Sequence, residues 1–138
     1  MNWLVEKLLY GKKIPRVIDP MTHKALDFLT TATFFMIAGA FWGKHKRAAA
    51  TALINGGAVL AATMLTDYDG DGKRPISFPD HGKIDIAQAG MASGLPVAMG
   101  FANSAAAMMF EAQAMVETLV ISSTDWEAPG RNEEIRAA

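Results

Sequence analysis

The amino-acid sequence predicts an all-α fold: a four-helix transmembrane bundle built from two duplicated two-helix hairpins and preceded by a short N-terminal amphipathic helix. Two observations predict it. Long segments are almost uncharged in a chain of 138 residues that is 51% hydrophobic and only 20% charged. The second half of the chain also repeats polar residues of the first half at one fixed offset, as expected of an internal duplication.

The first two predicted spans are the clearest. Residues 25–43 contain Asp27 as their only charged residue, and residues 48–66 contain none. Nineteen helical residues extend over about 28 Å, which is close to the thickness of the hydrocarbon core of a bilayer. A soluble four-helix bundle is the alternative, but a soluble helix needs a polar face that these two segments lack.

The second predicted hairpin is less apolar. Residues 84–101 form a third span, in which Pro96 is expected to introduce a kink, and residues 105–123 form the fourth. A polar loop is expected over residues 67–82, and the charged tail after Trp126 is expected to be loose.

The N-terminal residues predict a surface helix and then the start of the first span. Residues 1–10 are apolar with a polar flank and too short to cross a bilayer, which favours an amphipathic surface helix over a signal peptide. Asp19 followed by Pro20 is typical of a helix N-cap with proline in the first turn.

Composition excludes several classes of function. The net charge of −1 gives no basic footprint for nucleic acid, and the lack of cysteine excludes disulfides, thiolate metal sites and cysteine nucleophiles. The chain has no P-loop, no G-x-S-x-G, no H-E-x-x-H and no Rossmann fingerprint. Nucleophilic catalysis therefore has no candidate residue, and hydrolysis by a metal-bound water is a third alternative behind binding and scaffolding.

The repeat predicts a single domain, residues 1–138, with repeat 1 at about 18–68 and repeat 2 at about 76–126. Four pairs of polar residues lie 58 positions apart: His23 with His81, Asp27 with Asp85, Thr66 with Thr124, and Asp67 with Asp125. Each repeat holds two spans, so both hairpins enter the membrane from the same side, related by a pseudo-two-fold axis along the membrane normal. The repeated histidines and aspartates are then expected at one membrane face.

Lysine and arginine positions predict the orientation. Ten of these residues fall on the side of the chain termini and three on the other side. The positive-inside rule then places the termini in the cytoplasm of an inner, cytoplasmic-type membrane.

The repeated polar residues predict a cation, metal or cofactor site, formed by His23, Asp27, Asp67, His81, Asp85 and Asp125. Imidazoles and carboxylates suit Zn, Mn or Fe, and each aspartate could instead orient its own histidine. A haem held by the two histidines as axial ligands is a further alternative. In a purely structural interpretation, the aspartates complement helix N-termini and the histidines tie helix ends together.

Two other polar features stand out. Residues 67–72 match the opening of an EF-hand calcium loop, but Phe78 stands where the twelfth-position glutamate should be, which favours a simple Asp/Gly turn. Inside the membrane, Asn55 and Gln113 are expected to join helices. Glu117, whose counterpart is Val59, is expected to have a function because a carboxylate is costly at that depth.

The sequence thus favours a small integral membrane protein that binds a cation, metal or cofactor at a His/Asp cluster. The alternative is a non-catalytic scaffold or accessory subunit whose cluster is structural. Its expected partners are the lipid bilayer and either further copies of the chain or another membrane subunit.

Overall fold

The computed structural model describes residues 14–138, so the amphipathic helix predicted at residues 1–10 lies outside the described residues. The described chain is all-helical, as predicted, apart from two strands of two residues each, β1 (Thr66–Asp67) and β2 (Ile76–Ser77). Its five helices are α1 (Pro20–Phe41), α2 (Lys46–Leu65), α3 (Phe78–Ala98), α4 (Ala105–Ser123) and α5 (Arg131–Ala137).

The helix starts follow local capping chemistry. The Asp19 carboxylate accepts a hydrogen bond from the Thr22 backbone N–H at 2.7 Å, and proline follows it in the first turn, as predicted. This hydrogen bond lowers the pKa of Asp19. α3 begins earlier than the hydropathy pattern indicates, because Ser77 caps the helix and a proline occupies its first turn. Residues 78–82 of the expected loop are therefore helical.

Small residues let the helices approach closely, and a few aromatic rings fill the remaining space. Phe34 and Phe110 meet edge to face with centroids 5.5 Å apart, and Phe101 packs on Phe110 at 5.4 Å. A Cβ added to Gly56 would lie 2.7 Å from the Phe35 ring, so α1 and α2 depend on glycine there. The core between these rings is mostly alanine: Ala38, Ala48, Ala52, Ala92, Ala106, Ala107 and Ala114.

Backbone pairing joins the ends of the helices on one side of the bundle. β1 pairs with β2 in parallel, with Thr66 opposite Ile76. Ile18 pairs with Thr124 in the same parallel sense, so the segment just before α1 is tied to the residue after α4. The helix starts that contain the predicted histidines are thus fixed against the ends of α2 and α4.

The outward surface of the described chain is strongly apolar. Three of its helices, α1, α2 and α4, are long and apolar enough to cross a membrane. Large side chains point outward along them, including Leu29 (61% exposed), Met36 (67%) and Ile54 (62%). Contiguous apolar surface of this kind marks a membrane or protein interface.

The C-terminal tail is not loose, in contrast to the sequence-based expectation. Its helix α5 docks on the loop after α2, where the Asn132 N–H donates to the Asp69 carbonyl at 2.9 Å. The Glu133 carboxylate accepts from the Gly130 N–H at 3.1 Å and so satisfies the backbone at the start of α5. This docking needs close backbone contact, which charge content alone does not reveal.

Gly130→Ala should release α5 from the loop. A Cβ at this position would lie 2.5 Å from the Asp69 carbonyl carbon and 2.6 Å from the Gly70 nitrogen, and backbone atoms cannot swing away as a side chain can. We expect the docked position of α5 to be destabilised by about 1–3 kcal/mol. The tail should then be cleaved faster in limited proteolysis. Gly57→Ala is the control, because nothing lies within 4 Å of its added Cβ. Equal cleavage of both variants would contradict the docking.

Candidate metal centre

Four predicted site residues converge at the starts of α1 and α3. We call His23, Asp27, His81 and Asp85 the His–Asp tetrad. One ligand atom from each lies within 4.8 Å of the other three. In each helix the histidine and aspartate are four residues apart, which places both on one helix face. The tetrad is therefore assembled from two helical faces that meet.

The two carboxylates bridge the two imidazoles. His23 Nε2 lies 2.9 Å from Asp85 Oδ2 and 3.3 Å from Asp27 Oδ1. His81 Nε2 lies 3.0 Å from Asp27 Oδ2 and 3.1 Å from Asp85 Oδ1. Both Nε2 atoms thus face one shared set of carboxylate oxygens.

Two threonines at helix ends fix the other nitrogen of each imidazole. Thr66 Oγ1 lies 2.7 Å from His81 Nδ1, and Thr124 Oγ1 lies 2.9 Å from His23 Nδ1. Each hydroxyl donates its own hydrogen to the carbonyl four residues earlier, at 2.7 and 2.6 Å respectively. A threonine hydroxyl has one hydrogen, so each offers a lone pair to Nδ1, and this hydrogen-bond network assigns the ring proton to Nδ1 in both histidines.

This assignment leaves a lone pair on each Nε2 atom. In a neutral imidazole protonated at Nδ1, Nε2 bears a lone pair, and here it faces carboxylate oxygens that also carry lone pairs. Contacts of about 3 Å between such atoms are repulsive unless a positive centre lies between them. That centre is either a second ring proton on each histidine or a metal cation shared by all four groups.

Tyr68 completes the polar contacts of the tetrad. Its hydroxyl donates to Asp27 Oδ2 at 2.5 Å and lies 3.2 Å from His81 Nε2. Burial, together with the negative charge of Asp27, raises the pKa of Tyr68 far above its ordinary value. The phenol therefore keeps its hydrogen and stays a donor to the carboxylate.

Aromatic rings close the tetrad on its outer side. The His23 imidazole packs against Trp126 and Phe78 with centroid distances of 4.7 and 5.5 Å, and Tyr68 packs on Phe78 at 5.7 Å. Trp126 fits only because Gly82 lacks a side chain, since a Cβ there would lie 2.9 Å from the indole. Both histidines are at most 1% exposed, which strengthens electrostatic interactions within the tetrad.

Two cavities lie near the tetrad. The outer cavity, about 220 Å³, is lined by Tyr68, Phe78 and Trp126 and by the acidic residues Asp67 and Glu133. The inner cavity, about 20 Å³, lies among the four long helices and is lined by both aspartates of the tetrad. The aromatic rings that pack on the tetrad thus line the outer cavity, and the tetrad itself lines the inner one.

Two other predicted ligands, Asp67 and Asp125, are not part of the tetrad. The Asp67 carboxylate accepts from the backbone N–H groups of Asp71 and Gly72 at 3.1 and 2.7 Å. Asp125 Oδ1 accepts from the Glu127 N–H at 3.2 Å. Both carboxylates thus stabilise turns, because an aspartate just past a helix end can reach the following backbone. The Asp67 contacts also fit the simple turn in place of a calcium loop.

The predicted intramembrane polar residues are all buried. Asn55 and Gln113 join helices: Gln88 donates to Asn55 Oδ1 at 2.7 Å, and Gln113 donates to Thr30 Oγ1 at 3.2 Å. Glu117 is different, because neither of its carboxylate oxygens has a hydrogen-bond partner among the described residues.

Sequence reasoning missed four polar residues around the tetrad. Thr66 and Thr124 belong to the repeated Thr-Asp motif, but the interpretation assigned the ligand role to the aspartates. Tyr68 directly follows that motif. Gln88 lies seven residues after His81, and this spacing returns to the same helix face, so its position was a usable signal.

The haem alternative does not fit this arrangement. Bis-histidine ligation requires a porphyrin ring between the two imidazoles. Here the carboxylates of Asp27 and Asp85 occupy that space and contact both rings. The tetrad can hold a single ion but not a macrocycle.

Comparison of the chain with protein-family models, curated proteins and solved structures finds no match. The function of the protein is therefore inferred from the chemistry of the site.

Tyr68→Phe should destabilise the protein without changing its core volume. The variant loses one hydrogen bond to a buried carboxylate, at a cost of about 1.5–3 kcal/mol, and the thermal unfolding midpoint in detergent should fall. Ser122→Ala is the control, because it removes an exposed hydroxyl bonded only to its own helix, and its cost should stay within about 0.5 kcal/mol. An unchanged midpoint in Tyr68→Phe would argue against the contact with Asp27.

Proposed function

We propose that this protein is a small integral membrane protein that binds a divalent transition-metal ion in the His–Asp tetrad, with zinc as the ion that suits the site best. The observation behind this proposal is the contact of each histidine Nδ1 with a threonine hydroxyl that already donates to a carbonyl, which favours the Nδ1-protonated tautomer of both histidines. Thr66 and Thr124 hold the Nδ1 hydrogens, so two Nε2 lone pairs and two carboxylates converge on one point. Metal-binding histidines commonly donate their second ring N–H to a neighbouring acceptor in this way.

The size of the tetrad supports this choice. In a tetrahedral zinc site with ligand distances near 2.1 Å, ligand atoms are about 3.4 Å apart. The four nitrogen–oxygen contacts in the tetrad are 2.9–3.3 Å, and one ligand atom from each residue lies within 4.8 Å of the other three. A local rearrangement of the side chains would bring the four ligand atoms to the tetrahedral spacing. Two carboxylates also balance the charge of a divalent ion.

The ligand count favours binding over catalysis. Catalytic zinc sites keep one position open for water or substrate, whereas four protein ligands close the site. Two of the ligands come from α1 and two from α3. A bound ion would therefore cross-link the two halves of the chain at one end of the bundle.

The membrane arrangement belongs to the same proposal. All four long helices would span the bilayer, with α3 as the most polar span. The tetrad would lie at the membrane face shared by the termini, which the lysine and arginine distribution assigns to the cytoplasm.

We also propose that the two helical hairpins arose by duplication, as residues 18–68 and 76–126. Contacts recur at equivalent positions of the two halves. Ile18 pairs with Thr124 as Ile76 pairs with Thr66. The Gln113–Thr30 and Gln88–Asn55 hydrogen bonds are likewise related by the offset of 58 residues.

The second candidate function is a scaffold or accessory subunit in which the tetrad is structural. One observation favours it: the outward groove between α3 and α4 contains a polar pair, with Ser93 donating to both Glu111 oxygens at 3.1 and 3.0 Å. Polar pairs on the outer face of membrane helices contribute to helix association. In this case each histidine would carry a second proton in place of the metal.

Metal content of the full-length protein in detergent distinguishes the two candidates. We expect about one zinc ion per chain of the wild type and a lower unfolding midpoint after chelation. His23→Ala and His81→Ala should each bind no zinc, and chelation should leave their unfolding midpoints unchanged. His45→Ser is the matched control: its ring caps α2 near the opposite end of the long helices, and serine preserves a cap. Folded wild-type protein that binds neither zinc, manganese nor iron would refute the metal site and leave the scaffold.

The threonine contacts give a finer test of the same site. Thr66→Val and Thr124→Val should each weaken zinc affinity by about 10–100-fold, because the imidazole loses the acceptor that fixes its tautomer. Thr118→Val is the control, since its hydroxyl bonds only the Ala114 carbonyl. Affinities are measured by competition with a chromophoric chelator. Unchanged affinity in both tetrad-facing variants would contradict the role of the threonines.

A further inference from the structure

Glu117 has a carboxylate that is buried among the long helices. Its residue is 8% exposed, and both carboxylate oxygens are fully buried without a hydrogen bond among the described residues. An unpaired carboxylate inside a membrane costs several kcal/mol. A structural residue at this position would more naturally be apolar, as Val59 is at the position 58 residues earlier.

The inner cavity lies directly beside this carboxylate. Glu117 lines it together with Asp27 and Asp85 from the tetrad and with Thr30, Gln88 and Val59. Its volume is about 20 Å³, whereas one water molecule needs about 10–15 Å³. The space therefore admits one particle of that size.

Charge balance indicates which particle would be stable there. The charges of Asp27 and Asp85 are balanced either by a divalent metal or by two doubly protonated imidazoles. In both states ionised Glu117 leaves one uncompensated negative charge next to the cavity. A single monovalent cation would neutralise it.

The neighbouring oxygen atoms suit such an ion. Gln88 uses its amide N–H on Asn55, so its side-chain oxygen is available to the cavity. The Thr30 hydroxyl oxygen and the Glu117 carboxylate add two further kinds of oxygen donor. Oxygen-only donor sets select hard cations and not softer transition metals.

We propose that the inner cavity is a second cation site, distinct from the His–Asp tetrad, in which Glu117 holds one small monovalent cation of the Na⁺ class. The site does not depend on metal in the tetrad, because the charge balance is the same in either state. It assigns a role to a buried carboxylate whose counterpart in the other half, Val59, is apolar.

Sodium dependence of the full-length, chelator-treated protein in detergent tests this site. The protein is titrated with NaCl against choline chloride at constant total chloride, and both the unfolding midpoint and bound radioactive sodium are measured. We expect NaCl to raise the midpoint by stabilising the folded state through binding, with about one sodium ion bound per chain. Glu117→Gln and Glu117→Val should lose both responses. Glu117→Val is expected to fold, because it places the Val59 side chain on the equivalent helix face.

Glu111→Gln is the matched control. It neutralises a glutamate on the same helix that lines the outward groove and bonds Ser93, and it should retain the sodium response. The proposal is overturned if choline acts as well as sodium, as expected of a Glu117 that is simply protonated. It is also overturned if the unfolding midpoint of Glu117→Val responds to NaCl as that of the wild type does. A third contrary result is that Glu117→Gln loses a second bound divalent ion and not a bound sodium ion. Zinc content of the same variants, measured separately, shows whether the tetrad is intact.

Discussion

The hydrogen bonds that two buried histidines donate to two threonine hydroxyls are the constraint on which one end of the bundle depends. Burying two carboxylates and two imidazoles removes their hydration, and such groups are tolerated only when they are paired and hydrogen-bonded. Thr66 and Thr124 supply those bonds from the ends of α2 and α4, while the tetrad itself begins α1 and α3. All four long helices must therefore meet in one register for the buried polar groups to be satisfied, and the short parallel backbone pairings beside them follow from that register.

The two halves of the chain contact the tetrad with different side chains at equivalent positions. Tyr68 donates a hydrogen bond to Asp27, whereas its counterpart Trp126 packs on His23. Lys24 lies over the Tyr68 ring at 5.7 Å, while the equivalent Gly82 leaves room for the larger indole. The contacts around the tetrad are thus equivalent in position but different in chemistry.

The proposed membrane environment would account for how the rest of the molecule is built. Lipid provides little hydrophobic force between helices, so packing through small residues and interhelical hydrogen bonds must hold them together. The alanine-rich core, the close approach at Gly56 and the Gln88–Asn55 bond provide both kinds of contact. Large apolar side chains are then left for the outer surface, where they can contact lipid.

The sequence by itself determined the helical class, the Asp19 cap and the four members of the tetrad, because apolar runs, capping residues and the i, i+4 spacing of histidine and aspartate are local signals. It also marked Glu117 as a carboxylate whose counterpart, Val59, is apolar. Only the tertiary structure decided that Thr66 and Thr124, and not Asp67 and Asp125, serve the histidines. An aspartate just past a helix end reaches its own turn, while the threonine one position earlier faces the neighbouring helix. The docked tail, the aromatic closure and the inner cavity likewise depend on contacts between distant segments, which no local pattern contains.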